Sequence, residues 1–531
     1  MCGIVLDMVK KELEKIIKDA LKEVIIDVES VFVEHPADAA HGDYSTNAAL
    51  MYAKESGKRP KELAEEIKQK IETQKNALIK KVEIAGAGFI NFFISDDALV
   101  KNVEKMPQKI EKGFDFRGGE KINIEFISAN PTGQLHIGHG RGAFYGDILS
   151  NILEYSSARV TREYYINDSR ESVQIKELGK TALGRGEQYK TEKLEKLISG
   201  FDFSGMSEED AGFMLAQKIN EYNKKFIEEN LGIKFDVWYS EDENLRASGA
   251  NEKILKKLGK FIEKKKGEGE ALWLKTSEYG DDEDRVVVRS DGSKSYFISD
   301  IAYHEDKFSR GFDIVIDVWG ADHHGHVKRM NAAKQMLGWK GELKIFIAQM
   351  VSLKEDGEIK KMSKRAGNVV LLEDLVDEFG IDVVRWFFTE RSLGTHMEFD
   401  MKLASEKSAK NPVFYVQYAH ARIASILKNT ENLKSDDTSI NDIVTATPGR
   451  KLAVKIAQFP EIIQDISKDY QVHRLADYLY ELASEFSQFY RDVRVIKENE
   501  YNAGALELAK VAKNTISKGL DLLGINSPDS M

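Results

Sequence analysis

The period of the apolar positions changes along the chain, and in the first region it indicates both helices and strands. Apolar residues recur every three to four positions over 9–30 and over 59–71, which predicts two amphipathic helices. Residues 35–50 are rich in turn-forming side chains and predict a link between these helices. Residues 82–95 predict two strands joined by a turn. We therefore predict a small α/β domain over 1–110.

The middle region alternates short apolar strands with helices. Strands are predicted at 122–128, 162–168, 312–320 and 344–353, with a helix from about 139 to 155 after the first of them. This alternation is typical of a parallel sheet with helices on both faces. Charged helical patterns interrupt it over about 170–290, so we interpret that stretch as an insertion. The predicted α/β domain covers 119–400.

From 401 to 531 the pattern is helical throughout. Five apolar residues spaced 4, 3, 4 and 3 apart predict one continuous stripe along a bundle helix: Leu475, Leu479, Leu482, Phe486 and Phe489. Core packing accounts for this stripe fully. We predict an all-α C-terminal domain.

Composition narrows the function classes. Hydrophobic residues make up 42% and charged residues 31%, and we find no apolar run of the roughly 18 residues that a membrane helix needs. One cysteine allows neither an internal disulfide nor a thiolate zinc cluster, and the first residues lack the order of a secretory signal, so we expect a cytoplasmic protein. The net charge of −11 argues weakly against a nucleic-acid partner, although residues 360–365 include four cations.

The stretch His136-Ile137-Gly138-His139 lies at a predicted strand-to-helix junction. Free backbone N–H groups and the helix dipole favour an anion there, and glycines at 138, 140 and 142 would let a phosphate approach the backbone. Residues three apart share a helix face, so both imidazoles are expected to reach one ligand. The alternative is a pair of capping or core histidines.

A second stretch, "KKMSKRAGN", follows at 360–368. Taken alone it is a solvated basic loop, but after the histidine motif it resembles the second signature of class I aminoacyl-tRNA synthetases. The usual last serine is Arg365 here, which leaves Lys361 and Lys364 intact. The resemblance implies a Rossmann-like catalytic domain over 119–400.

Several stretches resemble the arginyl-tRNA synthetases specifically. They include "GAGFINFFIS", "EFISANPTGQLHIGHGRG", "REYYIND", "GADHHGH" and "NPVFYVQYAHARI", and they span nearly the whole chain. The resemblance implies a tRNA-contacting add-on domain at 1–110 and an anticodon-binding bundle at 401–531. It also implies ATP-dependent activation of L-arginine, transfer to the 3′-terminal adenosine of tRNA(Arg), and activation that requires bound tRNA.

The guanidinium of arginine is best bound by carboxylates, so its pocket needs acids on otherwise apolar strands. Glu125 and Asp300 are such acids, and burying either without a partner costs several kcal/mol. The alternative for each is an ion pair with one of the chain's own Lys or Arg residues. The resemblance assigns arginine binding to Glu125, Ser128, Asn130, His139, Tyr296 and Asp300.

The resemblance assigns the remaining roles in the same way. Catalysis is expected of His136, His139, Lys361 and Lys364. ATP binding is expected of His136, Gly138, His139, Asp322, His323, Lys361, Met362, Ser363 and Lys364. Contact with tRNA is expected of Tyr415, Tyr418 and Arg422, although the tyrosines suit a bundle core equally well. The cluster from Asp322 to His326 is adjacent in sequence, which disfavours a metal site, and none is predicted.

The expected ligands are tRNA(Arg), L-arginine and ATP with Mg²⁺, with no tightly bound cofactor and no membrane, and the expected state is a monomer. Three alternatives stay open. "MCGI" resembles the start of glutamine amidotransferases and would make Cys2 a nucleophile, although a helix follows at once. The chain is otherwise a tRNA-binding relative without catalysis, or a class I synthetase for another amino acid.

Overall fold

A computed structural model describes residues 8–24, 27–36, 38–74, 76–265, 270–355, 358–360 and 370–531. Cys2 and the predicted ATP-binding residues Lys361, Met362, Ser363 and Lys364 lie outside the described residues.

The first region combines helices with a three-stranded antiparallel sheet in the order β1-β3-β2. Its elements are α1 (Val9–Glu23), β1 (Tyr44–Thr46), α2 (Ala48–Ser56), α3 (Pro60–Thr73), β2 (Ile79–Ala85), β3 (Phe89–Ile94) and α4 (Asp96–Lys112). The elements before α4 enclose a separate hydrophobic core that includes Leu13, Ile17, Leu63, Ile67 and Phe92. The buried apolar residues of α4 belong to the main core instead.

Two predictions for this region need correction. The predicted helix over 9–30 ends at Glu23, and the link over 35–50 contains β1 and the start of α2. Strand β1 is three residues long and all three are buried, so it has no alternating pattern to reveal it.

The middle region is built on a parallel sheet. Its elements are β4 (Lys121–Glu125), α5 (Ile137–Tyr155), β5 (Arg159–Ile166), α6 (Val173–Ala182), α7 (Glu192–Ser199), α8 (Glu208–Glu229), β6 (Val237–Ser240), α9 (Ala250–Leu258), β7 (Ile262–Lys264), β8 (Leu272–Leu274), β9 (Arg285–Val288), α10 (Tyr296–Ser309), β10 (Ile314–Gly320), α11 (His326–Leu337), β11 (Glu342–Ala348), β12 (Val351–Glu355), β13 (Glu358–Lys360), α12 (Leu372–Phe379), α13 (Ile381–Thr389) and β14 (Met397–Asp400).

The five strands of the main sheet lie in the order β11-β10-β4-β5-β6, and all neighbours are parallel. This is the Rossmann-like strand order, and it confirms the predicted fold class. The strand order reverses between β4 and β10. From β4 the chain first adds β5 and β6 on one side of the sheet, and it later adds β10 and β11 on the other side. Ligands bind open α/β sheets at this switch point, outside the carboxyl ends of the strands.

The insertion and the last predicted strand differ from expectation. The predicted insertion over about 170–290 is not wholly helical: it supplies β6 to the main sheet and holds a small antiparallel sheet of β7, β8 and β9. The predicted strand over 344–353 is two strands, β11 in the main sheet and β12 in a separate sheet with β13 and β14. One apolar run crosses both, so the pattern shows no break.

The last region is a helical bundle. Its elements are α14 (Met401–Ala404), α15 (Pro412–Thr430), β15 (Lys434–Ser435), α16 (Ile440–Val444), α17 (Thr447–Ala457), α18 (Phe459–Asp469), α19 (His473–Asp492), β16 (Ile496–Lys497), β17 (Glu500–Tyr501) and α20 (Ala503–Leu522). The predicted stripe of α19 is completely buried and belongs to one core that continues into the main sheet. Within the described residues, no helix is long and apolar enough to cross a membrane.

The first region docks on this bundle through polar contacts. The buried carboxylate of Glu461 accepts a hydrogen bond from the Tyr44 hydroxyl at 2.8 Å and lies 2.9 Å from Nε2 of His35. Arg450 forms ion pairs with Asp43 and Asp96 at 2.6 Å. These contacts fix α17 and α18 against the first sheet.

Candidate active site

The two histidines of the predicted signature meet at the start of α5. His136 is the N-cap residue: its Nδ1 accepts the amide proton of Gly138 at 3.1 Å, and its own amide donates to Nδ1 of His139 at 3.1 Å. The two rings stack with their centroids 3.8 Å apart. Because both Nδ1 atoms accept hydrogen bonds, each ring in its neutral form carries its proton on Nε2, and Nε2–H is then a hydrogen-bond donor.

The backbone of this turn differs from the predicted phosphate cradle. The amide of Ile137 donates to the carbonyl of Val370, that of Gly138 to His136, and that of His139 to the carbonyl of His136. The first three amides of α5 therefore already have acceptors, and the expectation that they are free for an anion is wrong. The imidazoles, not these amides, are the donors that a phosphate would meet.

Gly140 serves helix packing and not phosphate access. A Cβ atom there would lie 2.8 Å from the ring of Phe388 and 3.1 Å from Leu372, so glycine is needed where α13 and α12 cross α5. At Gly142 the same atom would make an ordinary 3.5 Å contact with Val318. The predicted role of these two glycines in phosphate approach is thus not supported by their neighbours.

Glu125 lies at the end of β4, opposite Asp317 of β10 and Glu163 of β5. Lys307 of α10 is completely buried and places its Nζ 2.5 Å from Oε2 of Glu125 and 2.7 Å from Oδ1 of Asp317. Nε2 of His304 lies 2.6 Å from the other oxygen of Asp317. Three acids on adjacent strands are therefore met by side chains of one helix.

The pKa values in this cluster follow from burial and from these cations. Burial raises the pKa of the Glu125 carboxyl above its usual range, and Lys307 offsets only part of this effect. Burial also acts on Asp317, but Lys307 and His304 together hold its pKa well below the usual range. Asp317 is therefore the acid that these cations stabilise most strongly in its charged form. In turn, Asp317 raises the pKa of His304, although burial acts to lower it.

The pairing corrects one premise of the sequence analysis. Glu125 has a basic partner in the chain, Lys307, so for this acid the alternative of an internal ion pair holds. The partner is 182 residues away in sequence, which no local pattern reveals. The assignment of Glu125 to arginine binding is therefore no longer supported by the argument that a buried acid needs a cationic ligand.

Asp300 lies in helix α10, so the expectation that it stands on a strand, like Glu125, is wrong. Among the described residues no ion pair to its carboxylate is found. Burial, with the nearby acids Glu241 and Glu125, raises the pKa of Asp300 to about 7, against the opposing effects of His304 and Arg329. A carboxylate in this state gains most from a cationic ligand.

The other predicted arginine-binding residues surround the ends of β4 and α10. Tyr296 begins α10, one turn before Asp300, and is half exposed. Ser128 accepts the amide proton of Tyr165 at 3.1 Å and has a positive φ of 38°. Asn130 is exposed in the loop that leads to α5. Strained backbone after Glu125 is typical of ligand-binding turns.

Glu241 is an acid that the sequence analysis missed. It is buried at the start of a π-helix, Glu241–Arg246, which packs against α10, and burial raises its pKa. Its contacts with Arg246 are long, at 3.4 Å. A π-helix often marks a functional site, but single-turn irregularities have no sequence period to predict them.

The predicted ATP-binding residues after β10 lie at the same sheet edge. Asp322 and His323 are exposed in a short 3₁₀ helix, with His323 Nε2 3.7 Å from Asp322. His326 is half-buried, and burial with the neighbouring Arg329 lowers its pKa to about 4. No group of three or more potential ligands in the described part of the chain has the arrangement of a metal site.

The predicted tRNA-binding residues share one face of α15. Tyr418 is exposed and accepts a hydrogen bond at 3.0 Å from Arg422, whose guanidinium lies 4.7 Å from the ring centre of Tyr490. Tyr415 is half-buried, packs on Tyr480 and bonds Ser487 at 3.2 Å. Tyr415 is therefore partly a packing residue, whereas Tyr418 and Arg422 are open to a partner.

A cavity of about 870 Å³ lies elsewhere, between β12, β14, α13 and the start of α19. Its lining includes Glu390, Glu398, His473 and Asp477 and none of the predicted site residues. This cavity is therefore separate from the candidate site, which is defined by the signature histidines and the acids of the sheet edge.

Comparisons with known proteins match this architecture. Models of the arginyl-tRNA synthetase N-terminal domain, of the class I (R) tRNA synthetase catalytic domain and of the DALR anticodon binding domain match residues 11–94, 207–425 and 416–531. Arginine–tRNA ligase 1 of Halalkalibacterium halodurans is 39% identical over 95% of each chain. The chain belongs to the arginyl-tRNA synthetase family.

Arginine–tRNA ligase of Bacillus subtilis is 38% identical over 98% of this chain and 100% of its own. The arginyl-tRNA synthetase structure of Thermus thermophilus superposes with a TM-score of 0.79 over 99% of this chain, at 21% identity, which supports the fold. Membership in the arginyl-tRNA synthetase family confirms the resemblance noted in the sequence. It rests on similarity over nearly the whole chain and not on the acid pocket.

Proposed function

We propose that this protein is an arginine–tRNA ligase, which activates L-arginine with ATP and transfers the arginyl group to tRNA(Arg). The observation that carries the proposal is the 39% identity to an arginine–tRNA ligase along 95% of the chain. The stacked imidazoles at the switch point of the sheet agree with it. The imidazole donors suit an anionic ligand such as a phosphate, and the buried acid Asp300 suits a cationic ligand such as a guanidinium.

In the first step the arginine carboxylate attacks the α-phosphate of ATP and displaces pyrophosphate. His136 and His139 would donate hydrogen bonds from Nε2–H to the phosphate oxygens as negative charge develops. Asp300 would hold the guanidinium and Tyr296 would cover it. The predicted roles of Asn130 on the substrate's backbone groups, and of Lys361 and Lys364 on pyrophosphate, stay proposals.

In the second step the terminal adenosine hydroxyl of tRNA(Arg) attacks the carbonyl carbon of arginyl-adenylate, takes the arginyl group and releases AMP. Tyr418 and Arg422 of α15 would contact unstacked bases, for which exposed aromatic and guanidinium planes are suited. Mg²⁺ would enter bound to ATP, because phosphates supply most ligands of such ions. We further propose a cytoplasmic monomer with domains at 1–110, 119–400 and 401–531.

The experiment that tests this function is aminoacylation of total tRNA with each of the twenty amino acids, combined with ATP–pyrophosphate exchange with and without tRNA. We expect charging with arginine alone and exchange that depends on tRNA. Charging with another amino acid would show a different class I synthetase, and absence of exchange would favour a binding protein. Glutaminase activity that disappears in Cys2→Ser would instead support the amidotransferase alternative.

A further inference from the structure

Helix α8 connects two hydrophobic cores. Its first half contributes Ala211, Leu215 and Ile219 to a small core that it shares with α6 and α7. Its last turns contribute Phe226 and Ile227 to the main core. With 22 residues, the helix is about 33 Å long. It therefore ties the small helical unit of the insertion to the body of the catalytic region.

Helices α6 and α8 of this small unit pack backbone against backbone at two glycines. A Cβ atom on Gly179 of α6 would lie 1.8 Å from the carbonyl oxygen of Glu208, and one on Gly212 of α8 would lie 1.9 Å from the carbonyl oxygen of Ile175. The two backbones are in direct contact at both glycines. A displacement of α6 would therefore move α8 with it.

Two adjacent residues of α8 lie where it passes the signature turn. The hydroxyl of Tyr222 donates to the carboxylate of Glu373, with distances of 2.7 and 2.9 Å to its two oxygens. The side-chain amide of Asn223 donates to the carbonyl of Gly133 at 3.1 Å, and Asn223 is 2% exposed. Helix α8 thus contacts both the segment that leads into the signature turn, at Gly133, and the start of α12, at Glu373.

Gly133 and Glu373 belong to two segments that are bonded to each other. The amide of Leu372 donates to the carbonyl of Leu135 at 2.9 Å, and the amide of Ile137 donates to the carbonyl of Val370 at 3.1 Å. His136 lies between these two bonds and pairs with Leu371. The place of the His136 ring is therefore set by a junction that α8 holds from both sides.

We propose that Tyr222 and Asn223 are positioning residues that fix this junction, and through it the two imidazoles, for the reaction. The inference rests on the proposed arginine–tRNA ligase function. The hydrogen bonds found for these two side chains among the described residues are those to Glu373 and Gly133, so both act through these residues. A shift of about 1 Å at a reacting centre can lower the rate about 100-fold, so the loss of one bond is expected to affect turnover before binding.

Tyr222→Phe tests the proposal, because the ring stays and the bond to Glu373 is lost. We expect kcat for tRNA-dependent adenylate formation to fall about tenfold, with KM for arginine and ATP within about twofold of wild type. Tyr189→Phe is the matched control: it removes a hydroxyl from the same insertion, where no hydrogen bond to the signature segments is found among the described residues. Its kcat should equal that of the wild type.

Glu373 supplies the partner test. Glu373→Gln keeps an acceptor for the Tyr222 hydroxyl and should retain most activity. Glu373→Ala also removes the ion pair of Glu373 with Lys193, so it should lower kcat at least as much as Tyr222→Phe. The double variant Tyr222→Phe/Glu373→Ala should be no slower than Glu373→Ala alone, because the Tyr222 bond is already lost in that variant. Asn223→Ala, with active sites counted by burst titration, should lower kcat per active site in the same way.

Equal kcat for Tyr222→Phe and Tyr189→Phe would overturn the positioning role. So would a loss of activity that merely follows a lower fraction of folded enzyme, measured by melting temperature and active-site titration. These outcomes differ from failure of the proposed function, because that failure appears in the wild type, which would then not charge tRNA with arginine.

Discussion

Replacing Lys307 by Met is the sharpest test of the buried charge cluster. The change removes the cation that lies 2.5 Å from Glu125 and 2.7 Å from Asp317, at a side chain with no solvent exposure. Breaking a buried pair by removing one partner costs about 3–5 kcal/mol, since an uncompensated charge remains. At about 2–4 °C per kcal/mol, the melting temperature should fall by about 6 °C or more.

The loss should depend on pH. Asp317 has a lowered pKa, so its stabilisation is present above about pH 4, the unfolded value, and is lost as pH falls through the folded value. Glu125 has a raised pKa, so its charged form destabilises the fold at neutral pH, and more so without Lys307. Protonation of Glu125 relieves this, so the difference in stability between wild type and Lys307→Met should shrink as the pH falls from neutral towards the usual pKa range of a glutamate.

Melting curves of both proteins at several pH values give the measurement. Lys344→Met is the matched control: Lys344 forms a partly exposed pair with Glu342 at 2.8 Å on β11, and such a pair contributes about 0–1 kcal/mol. Adding Glu125→Gln to Lys307→Met should restore part of the stability. A loss no larger than that of Lys344→Met, or one independent of pH, would refute the reasoning.

Three further outcomes are expected. Because the pKa of Asp300 is raised to about 7, KM for arginine should rise as the pH falls below about 7. Asp300→Asn should raise KM for arginine about 10–150-fold and abolish that pH dependence, and steady-state kinetics across pH checks both outcomes. His139→Ala should lower the rate of tRNA-dependent adenylate formation about 100-fold with little change in KM for arginine, and an unchanged rate would contradict its role. Tyr418→Ala should raise KM for tRNA about 5–150-fold through loss of one stacking contact, without affecting KM for arginine, whereas Tyr189→Phe should change neither constant.

The sequence predicted what local spacing determines. The histidines at 136 and 139 meet because residues three apart share a face of α5, and the parallel sheet follows from its alternation with helices. It missed β1 and β6, because strands of three or four residues carry too little periodic signal. The helix predicted over 9–30 is also too long, because α1 ends at Glu23.

The site was predicted less completely than the fold, for a physical reason. The pairing of Glu125 with Lys307 spans 182 residues and depends on how α10 crosses β4 and β10. Glu241 lies in a π-helix, and Tyr222 acts through one hydroxyl on an otherwise ordinary helix. Such contacts arise from tertiary packing, so no period or spacing in the sequence encodes them.

The charges around α10 determine where a cationic substrate would be stabilised. Lys307 serves Glu125 and Asp317, while Arg310 forms two bonds with Glu163, at 2.7 and 2.9 Å. The three strand acids are therefore balanced by the same helix that carries Asp300. The pKa of Asp300 itself is raised, and among the described residues no ion pair to its carboxylate is found, so the energy gained by pairing it remains for the ligand. A cationic substrate would thus depend on Asp300 for its charge partner, and on the acids of the sheet only for the position of the helix that presents it.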